Sequence, residues 1–250
     1  MTSERLARAP RPRVLGVSVS PVLVAVAPGI LLVAIGVGGF LGVFDAVREQ
    51  DDLALLDEPV LVWLSDRRTG LSTSLLTAVT NAFGPVVLPI IVALGCLVWV
   101  LIAKRWRDPG LLVGAMLLST GISVLIKAAV ARPRPDDELM TVPGVESSFS
   151  FPSGHTIGAA TLVLVSGYLI WSRHRTGRRF VLWALASVVV VAMVAVSRLY
   201  LGYHFVTDVL AAVSLALAVL GVVVAVHRWL RVAGVEETVD TSSAAPAERR

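Results

Sequence analysis

Charge is scarce in this chain. Asp, Glu, Lys and Arg make up 16% of its 250 residues, against roughly 25% in an ordinary soluble domain. Hydrophobic residues reach 56% and the mean hydropathy is +0.79, which excludes a water-soluble fold. Cysteine is almost absent: Cys96 stands alone inside an apolar run, so no intrachain disulfide can form and the residue reads as a small hydrophobe. Aromatics are sparse at 6% and are not interleaved with Lys and Arg, so the net charge of +4 and pI near 9.8 do not describe a nucleic-acid surface. Strict alternation of apolar and polar residues is missing, which excludes a membrane barrel. There is no internal repeat. His-x-x-x-His pairs and paired carboxylate clusters are missing too, which leaves no magnesium or zinc site of the usual kind and no expected cofactor. Asp136, Asp137 and Glu138 are consecutive and read as a solvated loop.

What is present is a series of apolar runs of near membrane-spanning length, expected at about 21–43, 85–103, 110–130, 155–172, 180–197 and 207–227. In lipid every backbone polar group must be satisfied within its own segment, so the runs are helices. The fold class is therefore all-α, a bundle of six transmembrane helices over residues 21–230. Residues 1–20 are expected as an N-terminal tail and 231–250 as a disordered C-terminal one, the stretch from Glu236 being rich in Ser, Thr, Ala and charge. Arg5, Arg8, Arg11 and Arg13 resemble the charged start of a signal peptide, but the apolar run after them is too long for one and reads as a permanent helix.

Orientation follows from Lys and Arg beside the spans. Alternate connections carry Lys104, Arg105 and Arg107, then Arg173, Arg175, Arg178 and Arg179, and the tails carry Arg5 to Arg13 and Arg228, Arg231, Arg249 and Arg250. The positive-inside rule makes that face, and both termini, cytoplasmic. Lys127, Arg132, Arg134 and Arg198 fall on the opposite, external face. The longest connection, 44–84, opens with acidic residues from Asp45 to Glu58 and then places Leu71, Leu75, Leu76 and Val79 at helical spacing. That spacing predicts an interfacial amphipathic helix between the first two spans, either covering the outer mouth or merely joining two helices.

Three polar clusters sit at that external face. Lys127 ends the third span, and Arg132-Pro133-Arg134-Pro135 cannot continue its helix because each proline lacks a donor. A stiff segment there can fold the planar Arg134 fork back toward Lys127, and two cations near one point make an anion site. Alone, Lys127 would only snorkel. Pro152-Ser153-Gly154-His155 precedes the fourth span, where free N–H groups and the positive helix end favour an anion and Gly154 allows close approach. Alone, Ser153 would be a helix cap and His155 an interfacial histidine. In the third cluster Arg198 ends the fifth span, His204 lies in a short loop and Asp208 begins the sixth. Four residues along a helix, Asp208 can accept one imidazole N–H and leave the other nitrogen free to attack phosphorus. This inventory suits cleavage of a phosphate ester.

The pattern Lys127-x6-Arg134-Pro135, Pro152-Ser153-Gly154-His155 and Ser197-Arg198-x5-His204-x3-Asp208 resembles the three-part signature of the type 2 phosphatidic acid phosphatase superfamily. That superfamily includes lipid phosphate phosphatases, bacterial undecaprenyl pyrophosphate phosphatases and soluble vanadium haloperoxidases. The resemblance implies His204 as nucleophile forming a phosphohistidine, Asp208 orienting it and His155 donating a proton to the departing lipid oxygen. Lys127, Arg134 and Arg198, helped by Ser153 and the Gly154 N–H, would hold the phosphoryl oxygens without a metal, so activity is expected to survive a chelator.

A site at bilayer depth implies a membrane lipid phosphate as partner, with polyprenyl diphosphate first, then phosphatidate and phosphatidylglycerophosphate. Phosphotransfer to another acceptor would use the same residues. An anion transporter would instead require broken helices or charges deep in several spans, and here the charges stay near one face.

Overall fold

The structure, a computed structural model, describes residues 13–14, 17–18, 20–142, 146 and 148–243. Most of the expected N-terminal tail, and 244–250 of the expected C-terminal one, lie outside the described residues. A minimal antiparallel pair, Arg13–Val14 with Val17–Ser18, precedes the helices. These are α1 (Pro21–Glu49), α2 (Asp57–Ser65), α3 (Gly70–Ala82), α4 (Val87–Ala103), α5 (Arg107–Val130), α6 (Gly154–Arg173), α7 (Gly177–Tyr200) and α8 (Val206–Ser243). One-turn 3-10 segments stand at Asp52–Leu56 and Asp137–Leu139.

Five helices, α1, α5, α6, α7 and α8, are long and apolar enough to cross a membrane. The expected span at 85–103 falls on α4. α4 has 17 residues, about 25 Å at 1.5 Å per residue, short of the ~30 Å hydrocarbon core. It reaches spanning length only together with α3, from which it is bent by 55° across residues 83–86. The predicted amphipathic segment is thus α3 itself, started by a capping box in which Ser72 N donates to Thr69 Oγ1 at 3.2 Å. α8 continues to Ser243 where disorder was expected from Glu236, because no proline interrupts the chain before Pro246.

The core lies among α4, α5, α6 and α8, where Val92, Leu112, Val165, Leu169, Val219 and Val223 are buried together. Cys96 belongs to it as a small hydrophobe. α1 lies along α8 at backbone contact: a Cβ on Gly29 would stand 2.5 Å from Ala225 N, and one on Gly36 2.5 Å from Ala218 N. Small residues therefore set this helix pair, as they do where lipid removes any hydrophobic drive between helices. The large apolar side chains Leu31, Leu97, Leu125 and Val188 point outward, as a lipid-facing surface requires.

The end of α5, the starts of α6 and α8 and the end of α7 meet at one end of the bundle. The turn from α7 to α8 is only residues 201–205, and Gly202 adopts φ +79° there, where a Cβ would fall 1.9 Å from Leu139 O. Only glycine permits that close crossing. α7 packs on α6 and, toward this same end, on α3 and α2.

Candidate active site

The α7–α8 turn sets the centre of the site. His204 sits in it at 1% exposure and Asp208, in the first turn of α8, at 0%. His204 Nδ1 lies 3.1 Å from Asp208 Oδ2, the i,i+4 geometry expected from spacing. The same Oδ2 accepts from Phe205 N at 2.9 Å and from Ser150 Oγ. With Nδ1 committed to the carboxylate, Nε2 is the free nitrogen, and it faces Arg134 Nη1 at 3.5 Å. Burial drives the His204 imidazole down to about 3 from its ordinary 6.5, against the opposing pull of Asp208, so the ring is neutral at physiological pH.

Asp208 has a second tether. Its Oδ1 accepts from Arg132 Nη1 at 2.8 Å, while Arg132 Nη2 reaches Asp57 Oδ2 at 2.8 Å. Asp57, first residue of α2, also accepts from Thr207 N at 2.9 Å and Thr207 Oγ1 at 2.6 Å. Arg132 in turn lies 4.2 Å from the Phe205 ring centroid. The start of α2 is thereby locked to the start of α8 through a closed set of buried charges, each with its partner.

Two further arginines share one carboxylate. Arg134 Nη2 reaches Glu146 Oε2 at 3.2 Å, and Arg198 Nη2 pairs with Glu146 Oε1. Burial alone would raise the Glu146 carboxyl, but Arg198 and Arg134 outweigh it and hold the group well below the usual carboxylate range. Arg134 is also held by Ser148 O at 2.7 Å and Tyr203 O at 2.6 Å, and Arg198 by Thr80 Oγ1 at 2.7 Å. Arg198 Nε is buried without a hydrogen-bond partner among the described residues. Lys127 Nζ donates to the carbonyls of Phe149 and Ser150.

A cavity of about 590 Å³ opens beside these groups. Lys127, Arg134, Glu146, Gly154, His155 and His204 line its polar end, and Leu88, Val92, Met116 and Val124 of α4 and α5 its apolar wall. His155 makes no hydrogen bond among the described residues, and its Nε2 stands 3.5 Å from where a Cβ on Gly84 would lie. Seven of the eight residues singled out in the sequence therefore cluster around the cavity or on its arginine and aspartate supports. Ser153 does not face it: the side chain is fully buried and its Oγ bonds Thr156 Oγ1 at 3.0 Å, while its N–H donates to Asp208 O at 3.1 Å. It braces the α6–α8 junction.

Sequence reasoning passed over Glu146, Ser150, Asp57 and Thr80. Asp57 was legible only as part of an acidic run, and Glu146 sits in a loop of ordinary polar composition, so neither carries a local signal. Arg132 was visible beside Arg134, but its two carboxylate partners lie 75 and 76 residues away.

The family model for the PAP2 superfamily matches residues 109–231, which hold every one of the three clusters. Phosphatidylglycerophosphatase B of Bacillus subtilis is 35% identical over 186 residues, 69% of this chain and 81% of that protein. Decaprenylphosphoryl-5-phosphoribose phosphatase of Mycobacterium tuberculosis is 33% identical over 138 residues, covering 52% of this chain and 71% of the relative. Among solved structures, a transmembrane PAP2-type phosphatidylglycerolphosphate phosphatase from Bacillus subtilis superposes with a TM-score of 0.66 at 26% identity. That match covers 86% of this chain and 99% of the other.

Proposed function

We propose that this chain, which belongs to the PAP2 superfamily, is an integral-membrane phosphatase that hydrolyses a lipid phosphate through a phosphohistidine on His204. The observation that carries this reading is the His204 imidazole, tied through Nδ1 to Asp208 and presenting Nε2 to Arg134 at the polar end of a mostly apolar cavity.

Phosphoryl transfer asks for positioning and for positive charge around the equatorial oxygens. Lys127, Arg134 and Arg198 supply that charge as fixed cations, so the reaction proceeds without a metal and is unaffected by a chelator. In the resting site the Glu146 carboxylate stands between Arg134 and Arg198, and the substrate phosphate takes its place. The unpartnered Arg198 Nε is a further donor for that phosphate. His204 Nε2 then attacks phosphorus while the lipid oxygen departs with a proton from His155. In the second step His155 takes a proton from water, whose oxygen attacks the phosphohistidine, and inorganic phosphate leaves with His204 restored. The α4–α5 wall of Leu88, Val92, Met116 and Val124 accommodates the lipid end.

Relatives named phosphatidylglycerophosphatase B, in Bacillus subtilis and Escherichia coli, move the first choice of substrate from polyprenyl diphosphate to phosphatidylglycerophosphate. Phosphatidate and polyprenyl diphosphate come next. The distribution of Lys and Arg supports a site on the external face with both termini cytoplasmic. Phosphate release from this panel by purified protein in micelles, with and without EDTA, tests the reading. We expect turnover of at least one lipid phosphate, unchanged by EDTA and abolished in His204→Ala; substantial residual turnover in that variant removes His204 as nucleophile.

A further inference from the structure

The opposite end of the same helices holds a second cavity, larger and separate from the site above. It measures about 830 Å³ and lies between α7 on one side and α1, α6 and α8 on the other. Its cause is visible in the packing. α7 leans on α6, where the Trp183 ring covers Gly167 so closely that a Cβ there would fall 1.9 Å from it, and Trp183 Nε1 donates to Val163 O at 3.1 Å. α1 is meanwhile drawn onto α8 by its glycines, so the space between the two pairs is left open.

The shape and chemistry of this cavity are polarised. From Val213 to Arg228 it follows α8, some 22 Å at ~1.5 Å per residue, longer than the ~15 Å that one leaflet contributes to the hydrocarbon core. Its body is apolar, with Leu32, Leu164, Leu217 and Val224 in the walls. Its mouth is basic: Arg175, just past the end of α6, and Arg228 of α8 both line it, and neither forms an ion pair among the described residues. Asp108, a carboxylate at this end, is already engaged by Arg173 at 2.7 Å. Trp171, Phe180 and Trp183 form an aromatic cluster beside the mouth, with Trp171 and Trp183 stacked at 6.2 Å, the side chains expected at headgroup depth.

We infer that this cavity is a binding site for an anionic phospholipid of the leaflet opposite the active site, its acyl chain along α7 and α8 and its phosphate between Arg175 and Arg228. A neutral zwitterionic lipid could fill the apolar body equally well. What singles out an anionic one is the pair of cations at the cavity mouth, which form no ion pair among the described residues and attract an acidic headgroup.

The test reads lipid retention and is independent of turnover, so it stands or falls apart from the phosphatase reading. Full-length protein is delipidated in detergent, titrated with dioleoyl phosphatidylglycerol or dioleoyl phosphatidylcholine, and the bound lipid is counted by native mass spectrometry. Wild type is expected to prefer phosphatidylglycerol by about thirty-fold, and the Arg175→Gln/Arg228→Gln variant to lose that preference, a change of ~2 kcal/mol at 1.4 kcal/mol per decade. Among the described residues neither arginine forms an ion pair, so the interaction lost on neutralisation is the approach of the Arg175 guanidinium to the Trp171 ring, 5.8 Å from its centroid. Ala184→Trp, which fills the cavity from α7, is expected to lower retention of both lipids. Equal retention of the two lipids by wild type, or an undiminished preference in the double variant, overturns the proposal.

Discussion

The two ends of α6, α7 and α8 solve opposite problems with the same three helices. At the α6 start, Arg198, His204 and Asp208 are removed from solvent and Arg132 is half-buried, and each is held by partners from other segments, including Asp57, Thr80 and Glu146. At the α6 end Arg175 and Arg228 form no ion pair among the described residues, and the interior holds Gly167, Trp183 and an apolar cavity. Burying a charge costs several kcal/mol unless its partners close around it. The first end meets that cost with a cross-linked network, whereas the second meets it with the single Asp108–Arg173 pair and keeps Arg175 and Arg228 at its rim. The difference supports placing the proposed chemistry at the first end, because fixed charge inside a membrane protein marks a functional site.

Breaking the centre of the polar end should give the largest effect. His204→Ala is expected to reduce turnover by roughly 10⁴-fold or more while leaving the helical bundle intact, read by phosphate release together with helix content in detergent. Next comes the lock between α2 and α8. Arg132→Gln leaves Asp57 and Asp208 buried without their shared cation, and removing one partner of a buried pair costs about 3–5 kcal/mol. A thermal unfolding midpoint within a degree of wild type would show that this network carries no stability. No substitution of comparable kind at Arg175 should have such an effect, which sharpens the contrast between the ends.

Arg134→Lys keeps the charge but loses the fork that now reaches Ser148, Tyr203 and Glu146, and about a 10²-fold loss in kcat/KM is expected. Full catalytic efficiency in that variant would count against the clamp. The pH profile has a definite sign. On the proposed mechanism His204 attacks only when neutral, and burial has lowered it to about 3, so falling pH protonates it far below the ordinary imidazole range. The acid limb of kcat/KM belonging to His204 should lie below pH 5, and a limb tracking its protonation near 6.5 would mean the ring is hydrated in the working enzyme. The smallest effect is expected from Glu146→Gln. Removing a carboxylate that occupies the Arg134–Arg198 pair should tighten inhibition by vanadate about tenfold, near 1.4 kcal/mol; unchanged inhibition would show that Glu146 does not compete with the phosphate.

Composition and local pattern determined that this is a helical membrane protein, roughly where its apolar runs lie, and which charged residues sit at the run ends. Spacing also determined the His204–Asp208 pair, because four residues on a helix are neighbours whatever surrounds them. The separation of α3 from α4 was legible, the amphipathic spacing ending before the apolar run that starts at 85, but the 55° bend between them was not, since hydropathy records that a stretch is apolar and not how it bends. Glu146 and Asp57 were equally hidden: a carboxylate in a loop looks solvated until the fold brings two guanidiniums to it. The same holds for the cavity between α7 and the α1–α8 pair. It exists because Gly29, Gly36 and Gly221 draw one helix pair together while Trp183 anchors another, and only packing in three dimensions fixes the space left between them.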